Sequence, residues 1–105
     1  MIGRIWHGWT TKDNADAYET LLKTQIFPDI LARKVPGFLR IDLLRRPSGE
    51  EVEFVTVMWF RSMQAVKGFA GERFEMAVVP QNARALLERF DETSQHYEVR
   101  EMREA

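Results

Sequence analysis

The chain has 105 residues, 45% hydrophobic and 11% aromatic, with fifteen Lys and Arg against sixteen Asp and Glu for a formal net charge of −1. That length suits a single domain over residues 1–105 with one core, and the charges are dispersed rather than gathered into the basic stripe a nucleic-acid partner requires. Cysteine is absent, no run approaches eighteen apolar residues and the start Met1-Ile2-Gly3-Arg4-Ile5 has no apolar leader, so disulfides, thiolate chemistry and a membrane span are excluded and a reducing cytoplasm is expected.

Residues Ile2–Thr10 interleave β-branched and ring side chains, which predicts a strand with Ile5, His7 and Trp9 on one face. Thr11 is suited to cap a helix from about residue 12 to about residue 26. Asp13 and Asp16 favour its positive end, and Tyr18, Leu21, Leu22 and Ile26 recur at helical spacing. Pro28 opposes straight continuation, so Ile30 and Leu31 are expected on a second, bent segment ending before Pro36-Gly37.

Phe38 to Arg46 sets Leu39, Ile41 and Leu43 against Arg40, Asp42 and Arg46, a strand with one buried face. Pro47-Ser48-Gly49-Glu50 turns the chain into Val52–Phe60, which loses its polar residues after Glu53 as a central strand covered on both faces does. Glu50, Glu51 and Glu53 are expected at a solvated hairpin tip, across from Arg45 and Arg46. Ser62 caps a short helix through Phe69 that Gly71 stops. Pro80 opens another helix with Ala83, Leu86, Leu87 and Phe90 on one stripe, and Thr93 to Met102 alternates as the last strand.

The order β-α-β-β-α-β predicts an α+β, ferredoxin-like domain. Its four-stranded antiparallel sheet has the first strand between the third and the last. Helices cover one face of such a sheet, and the third strand is too apolar to leave the other face wet. Self-association through that face, giving a homodimer, is the simple solution.

The stretches "RIWHGWTTKDNADAYETLL", "VPGFLRIDLLRR", "EVEFVTVMWFRSMQAVKGFAG" and "SQHYEV" resemble the antibiotic biosynthesis monooxygenase family of dimeric α+β barrels over nearly the whole length. They look especially like a bacterial branch with the same Trp-His-Gly opening and His-Tyr-Glu-Val ending. The resemblance implies a dimeric barrel whose characterised relatives oxidise quinol-type aromatics with O₂ and without metal or flavin. Some relatives cleave haem with a strand Asn and a Trp and His on the second helical segment. Here that region reads "VKGFAGERFEMAVV", with Phe69 its nearest aromatic and no histidine, so haem cleavage is not implied.

His7 and His96 are the only histidines, hence the only side chains that titrate near neutral pH unperturbed. Pairing residue 2 near residue 103 sets His7 opposite about residue 98. Both imidazoles are then expected on one face, as a pair able to take a phenol proton and hold the anion. Each also reads as a hydrogen-bonded structural or interface histidine. Trp6, Trp9 and Trp59 are candidates to wall a pocket for a flat aromatic molecule, with Tyr18 and Phe69 shaping it, although aromatics on strands more often fill a core or a dimer contact. Met58, Met63 and Met76 fill gaps, and no metal-ligand spacing is present.

These readings give two candidate functions. The first is cofactor-independent oxygenation of a small electron-rich aromatic, with no metal, with His96 or His7 as base and with Trp9, Trp59, Tyr18 and Phe69 around the substrate. The alternative is a non-catalytic dimeric barrel that binds a small molecule or a protein partner, similar to stress-responsive barrels. An enzyme should enclose a cavity reached by a histidine, whereas a scaffold should fill its core with its own side chains.

Overall fold

Three long strands carry the architecture in a computed structural model that describes residues 1–105. They are β1 (Ile2–Thr11), β2 (Phe38–Ser48) and β3 (Glu51–Phe60). Between β1 and β2 the chain forms α1 (Ala15–Leu21), a π-helical turn (Leu22–Ile26) and α2 (Phe27–Ala32). After β3 come α3 (Met63–Ala70), α4 (Gln81–Arg84), β4 (Leu87–Phe90) and β5 (Gln95–Glu98). The sheet is antiparallel in the order β2-β3-β1-β4, with β5 also against β1. This is the expected α+β, ferredoxin-like arrangement.

Pro28 lies in the first turn of α2, where its missing N–H costs nothing, and the π turn just before it absorbs the extra residue. The predicted bend is therefore a change of hydrogen-bond spacing, not a break. Ser62 caps α3 as expected, its hydroxyl accepting from the Ala65 N–H at 3.2 Å, and Gly71 ends the helix at φ +86°. No helix is long and apolar enough to cross a membrane.

Two expectations are corrected. The helix opened by Pro80 stops at Arg84, and Leu87–Phe90 extends as β4. The helical stripe of Ala83, Leu86, Leu87 and Phe90 loses to the sheet, because the second half of β1 needs a partner: Gly8 pairs with Phe90 and Thr10 with Leu87. The last strand is thus shared between β4 and β5. In addition, Ile2 stands opposite Glu98, five residues short of the expected register near residue 103, and His96 pairs with Arg4. Five is an odd number, and an odd slip exchanges the two faces of a strand.

Helices cover the face of Ile2, Arg4, Trp6, Gly8 and Thr10 on β1 and of Val52, Phe54, Thr56, Met58 and Phe60 on β3. Two clusters make the core there. Ile2, Met58, Phe60, Val66 and Phe69 form one, and Ala15, Tyr18, Leu22, Val52, Phe54 and Ala83 the other. Gly37 turns into β2 at φ +83°, and a Cβ there would stand 2.7 Å from the Cβ of Ala65, so α3 packs down onto bare backbone.

Candidate functional site

The inner face of the sheet and its helices leave a cavity of about 70 Å³, several times the roughly 10–15 Å³ that one water needs. Trp6, Thr56 and Met58 form its floor, Tyr18, Leu22, Ile26 and Ile30 one wall, and Phe69, Val79 and Ala83 another. An outer vestibule of about 250 Å³ shares Ile26, Ile30, Phe69, Val78 and Pro80 with it and adds Gln25, Asp29, Arg33 and Asn82. Trp6 is fixed by its indole N–H, which donates to the Asp91 carbonyl at 2.7 Å, and Tyr18 stands edge-on to Phe54 at 4.8 Å. The Tyr18 phenol and the hydroxyl-bearing side chains of Thr56 and Ser94 belong to the cavity wall, and the one fully buried side-chain polar atom without a partner is Thr10 Oγ1. Burial pushes the Tyr18 phenol well above its ordinary pKa.

Arg4 is the one charged residue on that wall, and it is 4% exposed. Its guanidinium donates to the Phe74 and Met76 carbonyls, the latter at 3.2 Å, and meets Nε2 of His96 at 2.9 Å. A guanidinium cannot accept a hydrogen bond, so Nε2 accepts and His96 is neutral with its proton on Nδ1. Burial first, and then the Arg4 charge, lower the His96 pKa, against a weaker opposite pull from Glu75. Burial also pulls Arg4 down to about 10. His96 therefore lies one hydrogen bond away from the cavity, with its lone pair engaged.

His7 is on the other face of the sheet, so the expected His7–His96 pair on one face is not formed. The odd register slip is the reason. His7 Nδ1 bonds Glu53 Oε2 at 2.8 Å, and Arg46 Nε bonds Glu53 Oε1 at 2.7 Å. Glu53 is accordingly buried and held below the usual carboxylate range, chiefly by the bond from His7 and then by that from Arg46. It was expected at a solvated tip. Trp9 and Trp59 share this outer face. Trp9 stacks on His7 at 6.1 Å beneath the guanidinium of Arg89, and Trp59 donates to Asp42 at 3.0 Å.

Of the residues singled out from sequence, Tyr18 and Phe69 line the cavity, His96 backs it through Arg4, and His7, Trp9 and Trp59 do not reach it. Arg4 was missed, as were the hydroxyls of Thr56 and Ser94. A signal for Arg4 was present: it is a charge in an otherwise apolar run, two residues from Ile2 and from Trp6 on the same face of the strand.

The family model for antibiotic biosynthesis monooxygenase matches residues 1–73. No curated protein sequence matches the chain significantly. Among solved structures, the chain is similar to a Bacillus cereus protein provisionally named an antibiotic biosynthesis monooxygenase, at 12% identity and a TM-score of 0.63, over 99% of this chain and 97% of that one. It is similar to Rv0793 from Mycobacterium tuberculosis at 24% identity and a TM-score of 0.54, with the same shares of the two chains covered. SnoaB, a cofactor-independent oxygenase from Streptomyces nogalater, matches at 20% identity and a TM-score of 0.53, over 96% of this chain and 95% of that one. At these identities the likeness is one of fold.

Proposed function

The chain belongs to the antibiotic biosynthesis monooxygenase family, and on that premise we propose that it oxygenates a small electron-rich aromatic of the quinol type in its inner cavity, using O₂ with no metal or flavin. The observation that supports this is the cavity itself: ring and aliphatic walls with a few hydroxyl-bearing side chains among them. In the reaction a ring hydroxyl loses its proton, and the anion passes one electron to O₂. The two radicals join at a ring carbon to give a hydroperoxide. Loss of water then leaves a carbonyl, so one oxygen atom enters the ring, the other leaves as water, and the ring supplies all four electrons.

In this reading His96 is the base, and it acts once Nη1 of Arg4 turns from Nε2 to the ligand. His7, Trp9 and Trp59 belong instead to the contact of a homodimer, formed through the outer face. The dimer is a cytoplasmic single-domain barrel. Oxygen uptake with a panel of quinols and naphthols under chelation tests the reading. His96→Ala is expected to lower uptake by about 10²- to 10⁴-fold, the usual contribution of a general base, with the dimer intact. Absence of uptake across the panel would leave the second reading, a barrel that binds a small molecule without turning it over. That reading is favoured by one observation, that no histidine lines the cavity.

A further inference from the structure

Arg4 carries a charge that its own face of the sheet does not balance. It is 4% exposed, and none of the chain's ion pairs includes it. The buried carboxylate of Glu53 lies on the opposite face, already paired with His7 and Arg46. A buried charge without a counter-ion is costly. The chain offsets that cost with neutral acceptors alone, two carbonyls and an imidazole, and with the Phe69 ring 5.7 Å from the guanidinium carbon. These use three of the five N–H donors of an arginine. Nε–H and one Nη2–H make no bond within the chain, on a residue that lines the cavity.

An arginine that only tied the crossover segment to β1 would need its carbonyl contacts but not a cavity beside it. The cavity adds aromatic walls and the hydroxyl-bearing side chains of Tyr18, Thr56 and Ser94 to the same lining. We propose that this cavity binds a small aromatic carboxylate, its ring among Trp6, Tyr18 and Phe69 and its negative charge taken by the two unused donors of Arg4. The ligand supplies the counter-ion that the fold lacks, and guanidinium and carboxylate are matched in both charge and hydrogen-bond geometry. The proposal rests on the cavity as a ligand site and extends it by giving the ligand's charge. It does not depend on turnover.

Calorimetric titration of the intact protein with 2-naphthoate and with its neutral isostere 2-naphthamide tests it. A charged hydrogen bond in a water-poor site predicts that the acid binds about ten- to a hundredfold more tightly. Arg4→Met should remove that preference while changing amide binding little. Equal affinities, a preference for the amide, binding of neither, or a preference that survives in Arg4→Met would each overturn the proposal. If Arg4→Met does not fold, Arg4→Lys, which keeps the charge, should keep a weakened preference. The wild-type ratio alone still decides against the proposal if it is near one. Naphthoate preference without oxygen uptake would remove the oxygenase reading and leave this site standing. Uptake with neutral quinols but no charge preference would do the reverse.

Discussion

His96 and Arg4 oppose each other's charge across one hydrogen bond of 2.9 Å. A proton on Nε2 would face the guanidinium and displace its N–H, which adds to the burial that already lowers the His96 pKa below 6.5. The unfolded chain therefore takes up this proton first as pH falls, and stability is lost as pH drops below about 6.5. His96→Gln keeps an acceptor for Arg4 without titrating, so its urea midpoint should stay level between pH 7 and pH 5 where the wild type declines. An equal decline in both would show that His96 titrates freely. Glu53 acts in a separate window. Its folded pKa is depressed, so its contribution is present above about 4.5 and is lost only as pH falls further.

At the scale of elements, two glycines set how closely strand and helix approach. Gly37 lets α3 sit on the start of β2 and requires φ +83°. Gly37→Ala meets both a strained backbone and the Cβ of Ala65, and should cost ~1–3 kcal/mol in urea unfolding. A loss below half a kcal/mol would mean that α3 moves away freely. Gly8 has no such φ, but a Cβ there would come within 2.8 Å of the Trp6 ring and 3.1 Å of Leu87. It leaves room for the indole that floors the cavity. The pairing of β4 on β1 shifts register between Trp9 and Thr10.

For the whole molecule, the outer face of the sheet is the contact surface of the proposed dimer. Leu44 is 54% exposed on the edge strand β2, opposite Val55, and Tyr97 is 58% exposed at the β5 side. Ile5, Trp9 and Trp59 continue the same surface, and apolar patches of this kind mark contact sites. Sedimentation at low micromolar concentration should give about twice the chain mass of 12.3 kDa. Leu44→Glu, which places a carboxylate amid that patch, should yield a monomer that keeps its circular dichroism. A wild-type monomer would remove the dimeric barrel.

The sequence by itself determined the elements from β1 to α3 and their order, because period-two runs such as Phe38 to Arg46, the turn at Pro47-Ser48-Gly49 and the Ser62 cap are local in cause. It also marked Tyr18 and Phe69, whose inward placement follows from their own helices. Tertiary structure alone decided which histidine meets which neighbour. Register between β1 and β5 joins residues ninety or more positions apart, and nothing in either strand measures that distance. A slip of odd length between β1 and β5 brought His96 to Arg4, on the face opposite His7, whereas Trp6 and Trp9, three positions apart on one strand, face opposite ways in any register. The fate of Leu87 and Phe90 was decided in the same way, since a helical stripe yields when an unpaired strand edge lies within reach.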